Sequence, residues 1–502
     1  MEKKMKIGDY LAINSYWLGI NIASGILTPV LMPYLVLLFM PAEQKNTYLA
    51  TVRVIGLTVA MLVQPVAGMM SDRSKAKWGR RRPFIFWGAI FNVVFLFIIG
   101  SSLFFNNSNV TLPIFSSLGI TTAFGVLILG TILLQFSSNI GHGALQGLIP
   151  DLVGETQRGK ASGVKSVFEL LPAFLVIFIG PLVDKGMIWL VIGIIMVGFL
   201  VTMLITVSYV KEKQQKEKPA GGIAEPILRL VALTVIFVSV TQIAVWLVTR
   251  SGSFLTTRGA SLAVQIIVVG LAGLVGMSGS IVLGVYFGAW VGIGKEAPRQ
   301  RSFIWWVVNR LLFLAAVGSI QGFAQYYLRD VLQLPNAASM TTILLAVVAL
   351  FLIPSALLGG SIADRIGRKQ LIMLSGLAAA LGTVVLLFAV NIVLVIIGGC
   401  IIGTGAGTFM AVNWALGTDL APKKDAGRYL GISNLAGAGA GIVGAGIGGP
   451  MADFFNLLRP GLGYIIIFSI YAALFLFSSL ILTRIKIPTV GTREKVTVAP
   501  AE

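Results

Sequence analysis

Apolar residues in this chain come in long blocks separated by short polar stretches. The blocks run 12–40, 48–70, 83–105, 120–150, 161–183 and 187–209, then 227–249, 262–293, 303–326, 339–363, 370–390, 391–417, 427–452 and 461–483. Each is near or above the ~20 residues a helix needs to cross hydrocarbon. The pattern predicts an all-α polytopic membrane protein with about 14 transmembrane helices. The separation at 390/391 is the least marked, and the run 262–293 is long enough to kink at its glycines.

Composition fits that reading. The chain is 56% hydrophobic and 11% charged, against roughly 25% charged in soluble domains. Its mean hydropathy is +0.91. One cysteine, Cys400, allows no internal disulfide, and one histidine, His142, allows no histidine-rich metal site. No cofactor and no metal are expected. The basic start "MEKKMKIGDY" leads into a stretch too long for a signal-peptide core, so it reads as an uncleaved first span.

Charge then orients the helices. Seven of the eleven residues from Asp72 to Arg82 are charged. Of the 38 Lys and Arg, 28 fall on one side of the predicted topology, 6 on the other, and 4 inside spans. Cytoplasmic loops carry such an excess. The expected location is the cell membrane, multi-pass, with both termini cytoplasmic. The +19 net charge marks that face and requires no nucleic acid.

Two motifs recur. "GMMSDRSKAKWGRRRP" (68–83) is echoed by "GGSIADRIGRKQ" (359–370), and "PDLVGETQRGKASGV" (150–164) by "TDLAPKKDAGRYLGI" (418–432). The same order in matching turns means two homologous six-helix bundles. The expected organisation is 1–210 as the first half, 211–302 as a linker plus an inserted helix pair, 303–483 as the second half, and 484–502 as a tail. Parallel repeats of this kind build carriers whose substrate site lies between the halves. Glycines in the turn, Gly68 and Gly359 with Gly360, are expected to let helices approach closely. Asp72 and Asp364 are expected to pair with arginines or to cap a neighbouring helix, as a conformational clasp.

Asp-Arg followed by Gly-Arg-Arg/Lys in both halves resembles the major facilitator superfamily signature. "LVQPVAGMMSDRSKAKWGRRRPFIFWG" (62–88) is similar to the glycoside–cation symporters, within them the sucrose-carrier branch. The resemblance implies the major facilitator fold and a conformational motif made of Gly68, Asp72, Arg73, Gly79, Arg80, Arg81, Gly360, Asp364, Arg365, Gly367 and Arg368, with Asp151 and Asp419 in the later turn. It implies transport of a sugar or glycoside by alternating access, with protons as co-substrate. Where relatives carry sodium-binding aspartates on the second helix this chain has Ala60 and Gln64. Where sucrose carriers have an aspartate and an arginine on the fourth, it has Gln135 and Gln146.

Buried charge in a membrane is costly and points to function. Glu169 lies about 12 Å into its span, with Lys165 one turn before it. These two and His142 are the expected proton-coupling residues. Asn139, His142, Gln146, Arg310, Gln321, Gln325, Asn413 and Trp414 are the expected substrate contacts, amides and cations for hydroxyls with a ring beneath. Interhelical hydrogen bonding is the alternative for each amide. Arg53, near the far end of its span, is expected to snorkel. Gly-rich 435–450 lies within a span and reads as helix packing, not a nucleotide loop. The expected partners are a small-molecule substrate, protons and the lipid bilayer, for a chain acting as a monomer.

Two other classes stay open. Fourteen helices with a central pair also suit an exporter of hydrophobic compounds, although the fifth span has only Gly180-Pro181 of the fuller exporter signature. An enzyme would need a catalytic or metal constellation that the sequence does not offer.

Overall fold

A computed structural model describes residues 5–486 apart from 107, 109, 213, 215–221, 295, 296, 298, 299 and 422–425, and the backbone alone of 293 and 426–436. Most of the expected tail and part of the 211–226 linker therefore lie outside the described residues. The helices, numbered in chain order, are α1 (Ile7–Phe39), α2 (Ala42–Asp72), α3 (Arg82–Asn106), α4 (Thr122–Leu152), α5 (Glu155–Phe178) and α6 (Ile188–Tyr209). The inserted pair is α7 (Ala224–Thr257) and α8 (Leu262–Ile293). Then follow α9 (Arg301–Asp330), α10 (Ala337–Ile366), α11 (Arg368–Leu387), α12 (Ile392–Leu420), α13 (Ala426–Leu458) and α14 (Leu462–Arg484). Thirteen are long and apolar enough to span a membrane among the described residues. The Gly-rich α13 occupies the remaining expected block. At the 390/391 junction Asn391 caps α12 by accepting from the Leu394 N–H at 3.1 Å, which is why two apolar runs separate there.

Hydrogen bonds group the connections onto two faces. Gln157 accepts from the Met5 N–H, Arg80 reaches Asp151, Gln214 donates to the Lys75 carbonyl, and Lys486 donates to Ser302. This is the basic face. On the opposite face Lys45 pairs with Asp330, and Tyr464 reaches both Asn46 and Asp330.

Bonds between the halves gather toward that opposite face. Proline explains some of them. Pro33 has no N–H for the carbonyl of Pro29 four residues earlier, and α1 runs as a π turn over Leu27–Leu31. The second half supplies the missing donors. Gln325, its amide nitrogen turned toward α1, donates to the Pro29 and Val30 carbonyls (3.0 and 2.9 Å), and Tyr326 donates to Pro33 (2.8 Å). Toward the basic face the side chains of α5 and α10 open instead: Val167 is 58% exposed and Leu357 77%. Bonds across the halves thus close the opposite face.

The run 262–293 forms one continuous helix, α8. The inserted pair lies against α13: the Phe237 ring stands where a Cβ on Gly439 or Gly284 would go, and Phe454 does the same to Gly252. Gly439 of α13 and Gly284 of α8 admit the α7 ring, and Gly252 of α7 admits the α13 ring.

Candidate functional site

The charged turn is complete in the first half. Arg81 is nearly buried, with its side chain 7% exposed. Its guanidinium pairs with Asp72 at the end of α2 and with Asp151 at the end of α4 (Nε–Oδ2 2.9 Å), and it donates to the Ser71 hydroxyl at 2.6 Å. Arg80 also pairs with Asp151, and that hydrogen bond above all holds its guanidinium above the ordinary arginine value. Asp72 thus binds an arginine and caps no helix. The cap at the start of α3 comes from Glu212, beyond α6, which accepts from the Arg81 and Arg82 N–H groups at 3.0 and 2.9 Å. Burial pushes the Glu212 carboxyl up, against the pull of those N–H groups. Gly79 adopts φ +117°, and a Cβ there would meet Glu212. Arg73, half-buried, ends α2.

The second copy is reduced. Arg368 at the start of α11 pairs with Asp419 at the end of α12, both over a third exposed. Asp364 and Arg365 are exposed and form no ion pair among the described residues. Gly367 keeps the positive φ of its counterpart, +92°. A Cβ on Gly68 would find ordinary contact at 3.6 Å and one on Gly359 at 3.4 Å, while Gly360 faces open space. Tightness lies on the partner helices, where a Cβ on Gly143 of α4 would stand 2.3 Å from the Gln64 carbonyl. One on Gly407 of α12 would stand 2.1 Å from that of Leu352.

Within the membrane, two of the expected residues meet one that the sequence reading missed, and a third joins through them. Trp17 of α1 meets the His142 ring edge-on at 5.0 Å, and the Lys165 ammonium lies 4.1 Å over its centroid. Lys165 bonds Glu169 at 3.1 Å, with both side chains about a third exposed. Exposed i,i+4 pairs contribute only about 0.3–0.5 kcal/mol, so this one breaks easily. Asn21, one turn from Trp17, donates to the Trp17 carbonyl. Asn21 and Glu169 line a cavity of about 300 Å³ between the halves, and Gln321 of α9 faces them from the other side. The rest of the wall is largely apolar, including Val176, Ile320, Leu344 and Leu352.

A second cluster sits in the other half. The Arg310 guanidinium lies 5.0 Å over the Trp414 ring, and its Nη1 donates to the Asn413 amide oxygen at 3.4 Å. Arg310 Nε has no partner. Asn413 is fully buried and already donates to Asn309 (2.7 Å), so helix contacts occupy it. The same holds for Asn139, which donates to the Gln135 carbonyl, and for Gln325 on α1. Gln146 is exposed near the basic face. Arg53 does not snorkel. It turns toward α9 and donates to the Gly318 carbonyl at 3.0 Å, in space left by the missing side chain of Gly322.

Residues 17–262 match the family described as MFS/sugar transport protein, and residues 289–445 match the Major Facilitator Superfamily. The chain belongs to the major facilitator superfamily. The family and the relatives that the chain matches are membrane transporters, not enzymes. Among curated relatives in the superfamily, the minor myo-inositol transporter IolF of Bacillus subtilis is 39% identical over 88 residues, 18% of this chain and 20% of the relative. The sucrose transport protein SUT1 of Oryza sativa is 33% identical over 113 residues, 22% of this chain and 21% of the relative. The general alpha-glucoside permease of Schizosaccharomyces pombe is 25% identical over 42% of this chain and 39% of its own. The matches thus span well under half of each relative's length. Solved superfamily folds align across nearly the whole chain. The nucleoside transporter NupG gives a TM-score of 0.62 at 13% identity, covering 96% of this chain and 100% of its own. A D-xylose–proton symporter gives 0.59 at 14%, covering 96% and 97%. At such identities the likeness is one of fold.

Proposed function

We propose that this transporter moves a sugar or glycoside by alternating access, coupled to protons through Glu169, with the basic face cytoplasmic and one chain enclosing one site. The observation that carries the reading is the Trp17–His142–Lys165–Glu169 cluster at the edge of the inter-half cavity. Asn21 and Gln321 on the cavity wall offer amides to sugar hydroxyls, and the weak Lys165–Glu169 pair leaves the carboxyl free to exchange a proton. Proton and substrate occupancy are then linked. The sugar-carrying relatives and the one-sided charge support the same reading.

The test is uptake of a sugar panel by proteoliposomes, with and without a pH gradient. Glu169→Gln mimics the protonated acid: exchange should persist while gradient-driven accumulation disappears. His142→Ala should shift the pH optimum and keep exchange. Accumulation persisting in Glu169→Gln would leave Glu169 as a structural partner of Lys165. The apolar cavity wall favours a second reading, export of lipophilic compounds, and efflux of a lipophilic cation with no sugar uptake would select it.

A further inference from the structure

"GPLVD" (180–184) follows α5, and "GPMAD" (449–453) lies in α13. Each Gly-Pro-x-x-Asp is at the opposite-face end of the fifth helix of its half, and each aspartate reaches into the other half. Asp184 accepts from the N–H groups of Ala338 and Ser339 at 3.1 and 2.9 Å, and from the Ser339 hydroxyl. Asp453 accepts from the N–H groups of Asn46 and Thr47 at 3.2 and 2.7 Å, and from the Asn46 amide at 2.8 Å.

The correspondence is close. The regular α-helix begins at Ala337 in α10 and at Lys45 in α2. In both cases the bonded groups are therefore the second and third N–H of the second helix of a half. Neither helix has a capping bond from its own flanking side chain. The first N–H groups of a helix need an outside acceptor, and a negative charge there is favoured by the helix dipole. The glycines make the approach possible: a Cβ at 180 would lie 2.5 Å from the Ser339 Cα, and one at 449 would lie 2.5 Å from the Asn46 carbonyl.

We infer that the two Gly-Pro-x-x-Asp segments are paired latches that hold the opposite face shut, with Asp184 and Asp453 as positioning residues of the transport cycle. The inference rests on the alternating-access reading, since a face that opens must break the contacts that cross it. Caps suit this use. On release, water reaches the carboxylate and the two N–H groups alike, so neither side is left with a buried orphan. The Asp453 latch is reinforced by the Lys45–Asp330 pair beside it; the Asp184 latch is not.

The test needs no substrate. Cys400, the single native cysteine, is replaced by serine. Ala324→Cys on the cavity wall then reports to an impermeant maleimide applied to either face of oriented membranes. Asp184→Ala should raise labelling from the opposite face about fivefold, the effect of losing one cap, and lower it from the basic face. Asp453→Ala should do so by no more than that, and the double variant by more than either. Asparagine keeps one acceptor oxygen but sets its NH2 against the second N–H, so Asp184→Asn and Asp453→Asn should label between the wild type and the alanine variants. Gly449→Leu, which cannot close, should label fastest. Unchanged labelling in the alanine variants would overturn the inference, as would an equal rise from both faces or asparagine variants as open as alanine. A null sugar assay alongside a fivefold labelling shift would instead fault the substrate reading.

Discussion

The two copies of the charged turn share a sequence pattern and differ in structure. In the first half Arg81 sits at the centre of a network joining the ends of α2 and α4, with Glu212 holding the backbone of the same turn. In the second half one exposed pair is found among the described residues, Arg368 with Asp419. Both networks tie helices of a single half. They therefore stiffen one bundle, whereas the bonds across the halves gather at the opposite face. A repeated motif need not do equal work in its two places, and burial of the arginine is what separates them.

The sharpest way to break this contrast is Arg81→Ala. It removes the arginine of Asp72 and leaves Asp151 with Arg80 alone, and should destabilise the folded protein by about 3 kcal/mol, read as unfolding in detergent. Survival at wild-type stability would make the first copy as peripheral as the second. Next in size is the helix crossing. Gly143→Ala drives a methyl into the α2 backbone and should cost about 1–3 kcal/mol, whereas Gly68→Ala should be nearly neutral. Equal costs in thermal unfolding would return the close approach to the motif glycine. The smallest effect belongs to Arg368→Ala, about 1 kcal/mol or less for an exposed pair. A loss as large as that of Arg81→Ala would erase the asymmetry.

Spans were the most legible part of the sequence, because hydrocarbon penalises every interruption and loops stand out by charge. Side-chain partners were less so. Asn413, Asn139 and Gln325 read as substrate groups, yet each spends its amide on a helix. Nothing in the identity of an amide says which neighbour it will meet. Trp17 went unnoticed because an indole in an apolar run looks like any other apolar residue until Lys165 and His142 are seen against it. The reduced second turn was hidden for a related reason: Asp364 and Arg365 carry the pattern, but only packing shows that they face solvent. The Gly-Pro-x-x-Asp echo was open to inspection, but its aspartates lack the surrounding charge that draws attention to the basic turns.

One feature of α13 reaches beyond this chain. Its glycines let helices approach on several sides: Leu57 of α2 crowds Gly441, Ser319 of α9 crowds Gly444, Tyr471 of α14 crowds Gly448, and Phe237 of the inserted α7 crowds Gly439. A helix so poor in side chains cannot cover its own backbone, and in a twelve-helix plan its outer flank would lie against acyl chains. Here α7 lends the missing bulk. The insertion and the glycines are thus two halves of one inheritance. Descendants that lose the helix pair should regain leucine, isoleucine or phenylalanine at Gly439 and its neighbours, and those that keep it should tolerate no such gain.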